Sequence, residues 1–259
     1  MIKFNKEKCI RCGQCANVCP FTIISTDHDY PAMTENKKDL CISCFHCMSA
    51  CGQKAISAAG VRSSDVRIDG DAKSEGAVKR LIQGRRSVRR FNGRNVDREL
   101  VKDVLQAAEW APSAKNQHPA RWIAVHGKDK TDEIMRMVLN YVEETGKEPL
   151  VLSEYSNGNN IVTFGAPCLL FVYADTSAIN PFADSVIAMT MADLMFHEKG
   201  IETCWGGYMI RIANNCKAIR EYLGLPQGCQ VYGVLGLGYT DAEHYIYLPY
   251  RKEPRITWL

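Results

Sequence analysis

Cys9-Ile10-Arg11-Cys12-Gly13-Gln14-Cys15-Ala16-Asn17-Val18-Cys19-Pro20 decides the reading of the first part of the chain. Three cysteines stand two residues apart, and a fourth follows after three more, just before a proline. Thiolates at that spacing can wrap three iron corners of a cubane, while the fourth ligates a neighbouring cluster. The run recurs as Cys41-Ile42-Ser43-Cys44-Phe45-His46-Cys47-Met48-Ser49-Ala50-Cys51-Gly52. Crossed ligation then predicts two 4Fe-4S clusters. One takes Cys9, Cys12, Cys15 and Cys51. The other takes Cys41, Cys44, Cys47 and Cys19. A pair of zinc sites is the competing reading. Tetrahedral zinc usually pairs two short Cys-x-x-Cys units, so two runs of four cysteines fit it poorly.

Working outward, the chain has 259 residues, enough for one large or two smaller domains. Eight of its 12 cysteines fall between Cys9 and Cys51; Cys168, Cys204, Cys216 and Cys229 are scattered. Met1 to Lys6 carry no apolar run, so an export signal is not expected. Crowded cysteines then read as metal ligands in a reducing cytoplasm rather than as disulfides. A net charge of +3 is too small to suggest nucleic-acid or membrane binding. No apolar run is long enough to span a bilayer.

Residues 1–60 are expected to form a small cluster-stapled domain, because so short a module cannot bury much apolar surface. Phe21–Ile24 and Lys54–Ile56 are candidate strands that could pair. Residues 61–75 read as a polar linker. A second domain, 76–259, mixes helices and strands. Ala77, Val78, Leu81 and Ile82 have helical spacing up to Gly84. Asp97 is a candidate N-cap for a helix through Ala108. Trp122–Val125, Cys168–Tyr173 and Gln230–Tyr239 read as strands. Thr131–Thr145, Pro181–Lys199 and Asn214–Leu223 read as helices. Hairpin signals are scarce, so the fold class is α+β. The helix Phe182–Phe196 is apolar on most faces, which predicts cover from this domain or from a second copy of the chain.

Four pieces of this second domain point to a ligand. Arg85-Arg86-Ser87-Val88-Arg89-Arg90-Phe91 gathers guanidinium groups around a hydroxyl, which suits a phosphate. Ala111-Pro112-Ser113-Ala114-Lys115-Asn116-Gln117-His118-Pro119 reads as a shaped loop. The glycines of Trp205-Gly206-Gly207-Tyr208 allow close approach of backbone to a flat ligand. Leu248-Pro249-Tyr250-Arg251-Lys252-Glu253-Pro254 adds cations.

In order and spacing these pieces resemble the FMN-dependent nitroreductases, over about residues 76–259. Residues 1–58 resemble the bacterial two-cluster ferredoxins, except that Gly52 stands where that family often has proline. The first resemblance implies an α/β sandwich and a homodimer with FMN at its interface. It assigns Arg85, Arg86 and Ser87 to the FMN phosphate or ribityl chain, Arg89 to flavin N1 and O2, and Arg251, with Lys252, to the phosphate. Pro112, Ser113, Ala114 and Asn116 would reach the partner subunit's flavin. Gly206 and Gly207 would border the ring near N5. His118 and Ala120 depart from the family's loop, where glutamine and an aromatic residue are common. Tyr155–Asn160 falls where the family varies its lids, and is where substrate specificity is expected.

Other side chains read more plainly. His118 is weighed as a proton donor and reads as loop surface. Arg211 is weighed as an anion site and reads as an ion pair. Cys204 is weighed as a reactive thiol and reads, with Cys168, Cys216 and Cys229, as core. No catalytic side chain is assigned, because flavin N5 would carry the chemistry. Joined, the halves predict an iron–sulfur flavoprotein oxidoreductase. Electrons from a low-potential donor such as reduced ferredoxin would pass both clusters to FMN and on to a small electron-poor acceptor: a nitroaromatic, quinone, activated alkene or halogenated aromatic. Two alternatives stay open: a dehydrogenase exporting electrons through the clusters, and an electron carrier or redox sensor without turnover.

Overall fold

The repeat of the first sixty residues is visible in the backbone. β1 (Ile2–Phe4) pairs antiparallel with β4 (Ile56–Ala58), and β2 (Ile24–Ser25) with β3 (Ala32–Met33). Each strand pair thus joins the end of one repeat to the lead-in of the other. The strands after the two motifs do not pair with each other, contrary to the sequence expectation. One-turn helices α1 (Gln14–Asn17) and α2 (His46–Ser49) carry the third cysteine of each run. Left-handed residues recur at matching places: Arg11 with Ser43, Gly13 with Phe45, and Thr22 with Lys54. Five of those six are not glycine, and each such residue costs about 1–2 kcal/mol. The core that opposes this strain is small, built around Ile2, Ile23, Ile24, Phe45, Met48 and Ile56.

The chain is seen as a computed structural model that describes residues 1–27, 29–65, 76–241 and 254–259. Its described residues fall into two compact units, Met1–Arg85 with residues 254–259, and Arg86–Asp241. The first unit includes α3 (Ala77–Gly84), where Val78 and Ile82 are exposed.

The second unit is built on one antiparallel sheet. Its strands are β5 (Arg121–His126), β6 (Cys168–Asp175), β7 (Glu202–Trp205) and β8 (Cys229–Gly238), in the order β5-β6-β8-β7. β6 is apolar from Cys168 to Val172 because it is covered on both faces. Cys168, Leu170 and Val172 point into one core with α4 (Arg98–Ala108) and α7 (Pro181–Glu198). Leu169 and Phe171 point into the other, with α5 (Lys128–Thr145), α8 (Gly207–Asn215) and α9 (Lys217–Tyr222). The result is an α+β sandwich of helix, sheet and helix layers. Gly233 lets α7 approach β8, since a Cβ there would stand 2.5 Å from Met189 Sδ.

Local signals place most boundaries. Asp97 accepts the Glu99 N–H at 2.8 Å and starts α4. Gly200, at φ 72°, follows the end of α7. The predicted helix Asn214–Leu223 straddles a break. Cys216 is extended (φ −90°, ψ 112°) and separates α8 from α9, and α8 begins already at Gly207. α6 (Leu150–Ser156) runs into the predicted lid. One side of α7 is buried through Asp184, Ala188, Met189, Ala192 and Phe196. The other keeps Phe182 and Ile187 exposed and Val186, Met191 and Leu194 half-buried. Among the described residues, no helix is long and apolar enough to cross a membrane.

Candidate functional site

The eight N-terminal cysteines line two cavities. Cys9, Cys12, Cys15 and Cys51 surround one of about 310 Å³. Cys19, Cys41, Cys44 and Cys47 surround a tighter one of about 20 Å³. Cys19 and Cys51 therefore each face the cavity of the opposite run. Among the described residues, no three His, Cys, Asp or Glu side chains converge on a single-ion site. The thiols ring a space instead.

Their electrostatics fit a cationic iron core. Burial, together with Cys51, Cys12 and Cys9, pushes the Cys15 thiol up to about 12. Burial raises the Cys47 thiol as well, and Cys44, Cys19 and Cys15 add to it. Four thiolates can share so small a space only if positive charge is placed among them, as iron places it. His46 Nδ1 lies 3.3 Å from Cys44 Sγ, and the Ala55 N–H donates to Cys51 Sγ at 3.3 Å. Contacts of this type tune a cluster.

In the second unit the arginine motif lies along the edge of the sheet. Ser87 bridges Thr203 in parallel, and the Val88 N–H donates to the Thr203 carbonyl at 2.8 Å. That parallel run carries Arg89 toward the end of β7 that leads into Gly206 and Gly207. Two of the predicted pieces, Arg86–Arg89 and Gly206–Gly207, therefore meet at one corner. Arg86 is only 6% exposed. Arg89 donates to the Ser87 carbonyl at 3.2 Å, and its guanidinium lies 5.9 Å from the Phe164 ring centre. Arg90 donates to Asn159, which in turn donates to Glu154. Asn159, in the predicted lid, is buried and held rather than loose. Among the described residues no side chain caps α8 at Gly206, so its first N–H groups add their partial positive charge to this corner.

The glycines differ in what they do. A Cβ on Gly206 would lie 3.3 Å from Met209 Cβ and 3.6 Å from Val234 Cβ. A Cβ on Gly207 meets nothing within 4 Å. The first is needed by packing and the second leaves open space. An anionic, flat ligand such as FMN fits this corner: cations and helix N–H groups for phosphate, and a clear backbone surface for a ring.

The loop piece around Ala114 is anchored at the start of α7. The Ala114 N–H donates to Asp184 at 3.1 Å, and Gln117 accepts from Ile179 N–H. Ser113 accepts the His118 N–H at 2.9 Å, and His118 Nε2 sits 2.8 Å from Asn116 Oδ1. Lys115, Asn116 and His118 all have positive φ. Strain of this density is typical of loops that present atoms to a ligand. Pro112, Ser113, Ala114 and Asn116 are thus tied to α7, whose outer side is apolar. Arg251 and Lys252 lie outside the described residues.

Sequence reading missed Asp193. It is buried on α7, accepts from Thr203 Oγ1 at 2.5 Å and from Trp205 Nε1 at 3.0 Å, and so fixes β7 just before Gly206. An aspartate inside an apolar helix was the available signal. Arg211 forms an ion pair with Glu148 at 2.6 Å. Cys168, Cys204 and Cys216 are buried, but Cys229 is half-exposed at the start of β8. It was misassigned to the core because a cysteine opening an apolar strand reads as buried.

An iron–sulfur module with two four-thiol cavities thus precedes an α+β sandwich with an anion-binding corner. The chain belongs to the nitroreductase family, which it matches over residues 82–239, and residues 1–58 match the 4Fe-4S dicluster domain. It is 29% identical over 168 residues to a protein of Archaeoglobus fulgidus provisionally named NADH dehydrogenase/NAD(P)H nitroreductase, covering 65% of this chain and 88% of that one. A 4-nitrobenzoate reductase of Nocardioides sp. is 26% identical over 202 residues, covering 63% and 81%. The crystal structure of a nitroreductase with bound FMN from Bacteroides fragilis has the same fold, with a TM-score of 0.62 and 23% identity over 71% of this chain and 99% of that one.

Proposed function

We propose that this chain is an iron–sulfur flavoprotein oxidoreductase. It takes electrons from a low-potential one-electron donor, carries them on two 4Fe-4S clusters, and passes them to an electron-poor organic acceptor at an FMN site. The observation that carries this reading is the union in one chain of a dicluster domain with a nitroreductase domain. A donor that brings two electrons straight to a flavin has no need of clusters.

FMN, when bound, supplies conversion between one-electron and two-electron chemistry. The chain's own residues then have distinct tasks. Arg85, Arg86 and Ser87 hold the phosphate and ribityl end, with Arg251 and Lys252 as further phosphate cations. Arg89 places positive charge at N1 and O2, which favours the reduced anion. Gly206 and Gly207 keep backbone close to the ring. Pro112, Ser113, Ala114 and Asn116 cover the partner subunit's flavin and keep water from the substrate face. A homodimer is supported by the apolar outer side of α7, where Phe182 is 62% exposed. The Tyr155–Asn160 stretch borders the acceptor. Eight crowded thiols support a reducing, cytoplasmic setting.

Composition tests the scheme. Protein purified without oxygen is expected to contain about eight iron atoms, matching sulfide, and about one FMN per chain. Zinc in place of iron, or absence of flavin, contradicts it.

A further inference from the structure

The two cysteine cavities come from one repeat, but their surroundings differ. The residue after the second cysteine is Gly13 in the first run and Phe45 in the second. Phe45 is 7% exposed and lines the second cavity; its neighbour His46 is buried as well. Gly13 and Gln14 occupy the same places around the first cavity and are only half-buried. The consequence shows in the thiols. Cys12 is exposed, whereas its counterpart Cys44 is half-buried beside His46. One site exposes its second cysteine at the edge; the other covers that cysteine with Phe45 and His46, although Ile42 on its rim is 57% exposed.

The rim of the open site has a definite character. Ile10 is 64% exposed and lines the cavity together with Cys9 and Cys12. Lys6, Lys8 and Arg11 are exposed around it, with Glu7 and Asp29 as the nearby acids. Two of the cations are held in place by one ring: Arg11 lies 4.5 Å and Lys6 5.5 Å from the centre of Tyr30. Arg11 also donates to the Tyr30 hydroxyl at 3.1 Å. An exposed apolar side chain beside exposed cations, two of them held by one ring, is a contact surface for a partner of opposite charge.

We propose that this face, formed by Cys12, Ile10, Lys6, Lys8 and Arg11, is the docking surface for a small acidic one-electron carrier protein, and that electrons enter at the cluster of Cys9, Cys12, Cys15 and Cys51. The inference rests on the electron route proposed above. Transfer between proteins falls off steeply with distance, so the exposed cluster edge is the one that a carrier can reach. The step is a simple exchange: the carrier's reduced centre loses one electron, the cluster gains one, and no bond or proton changes place. Cations on the rim attract acidic side chains and lengthen the encounter, and Ile10 gives it a dry centre.

The test uses the intact holoprotein, a small ferredoxin of strongly acidic isoelectric point, and methyl viologen radical as a cationic donor that needs no docking face. The variant Lys6→Glu/Lys8→Glu changes surface charge without replacing a cluster ligand, and Lys37→Glu/Lys38→Glu changes charge near the other site, at two half-buried lysines that contact Thr22 and Glu35. The first variant is expected to bind the ferredoxin about tenfold or more weakly in low salt by calorimetry, with cluster bleaching by viologen unchanged. The second is expected to bind like the parent protein. Carbodiimide cross-linking of the unmodified pair should map to Lys6 or Lys8, which makes the test independent of any variant. Unchanged binding by the first variant, or a cross-link confined to Lys37 or Lys38, overturns the docking proposal while leaving the electron route intact. Binding at the rim without transfer from the ferredoxin, with NADH reducing the flavin instead, defeats the electron route and the entry step together.

Discussion

Gly13 and Phe45 hold equivalent positions in the two cysteine runs, and both are left-handed, at φ 75° and 61°. Glycine takes that conformation freely; phenylalanine takes it at a cost of about 1–2 kcal/mol. What offsets the cost is burial of the ring against the second cysteine cavity. Phe45→Gly therefore trades backbone relief against a loss of about 3–5 kcal/mol of packing. The expected outcome is a net loss of stability and faster bleaching of one of the two clusters in air, followed by absorbance. Equal bleaching of variant and parent would contradict the shielding role.

Cys19 and Cys51 each face the cavity built by the opposite run. Cys51→Ser is expected to lose more than one cluster's iron, leaving fewer than about four atoms per chain. Loss confined to one cluster, with the other at full occupancy and unchanged stability, would show that the two halves are not tied through these residues.

Asp193 joins Thr203 and Trp205 inside the second unit. Asp193→Ala strands both donors and is expected to cost about 3 kcal/mol in urea unfolding. Trp205→Phe removes one hydrogen bond and should cost only about 1 kcal/mol. Because β7 leads into Gly206, both variants should also retain less FMN on gel filtration, the alanine variant more severely. Full retention by Asp193→Ala would separate this network from the flavin corner.

The Arg211 side chain holds the Glu148 carboxyl below its ordinary value, chiefly by their hydrogen bond. A carboxyl lowered in the folded state adds stability above its unfolded value, near 4.5, and loses it as pH falls through the folded value. The stability gap between parent and Glu148→Gln should therefore be present at neutral pH and close in acid. Both side chains are partly exposed, so the gap is at most about 1 kcal/mol and shrinks in salt. A gap that widens on acidification would reverse the assignment.

Phe182 and Ile187 leave an apolar side of α7 uncovered in a single chain. Ile187→Lys is expected to shift the protein toward monomer in light scattering, with loss of bound FMN, since the loop at Ala114 is fastened to the same helix. A monomeric parent protein would refute the shared site.

How much of this was legible in sequence depended on what kind of signal each part carries. The cysteine spacing is covalent and local, so both sets of four could be read before any fold was known. The apolar run Cys168–Tyr173 and the Asp97 cap carried β6 and the start of α4 for the same reason. Pairing in the small module was misread, because strands of two or three residues carry no register information and their partners are set by the repeat as a whole. The break at Cys216 was missed because neither glycine nor proline marks it and Asn214-Asn215-Cys216-Lys217 was read as the continuous start of a helix. Asp193 was passed over because an acid on an apolar helix reveals its value only when its partners, ten and twelve residues away, are brought beside it. The Gly13–Phe45 contrast was in plain view, but its meaning needed the cavities.

The electron route itself is open to one experiment. Flavin reduction is followed in a stopped-flow instrument under anaerobic conditions, with reduced acidic ferredoxin and with NADH as separate donors. The protein is compared with a Cys12→Ser/Cys44→Ser variant that retains FMN but lacks intact clusters. The proposed route predicts rapid reduction by ferredoxin in the parent, slow reduction by NADH, and loss of the ferredoxin reaction in the variant. Rapid reduction of the variant's flavin by NADH, at the rate of the parent, would contradict it.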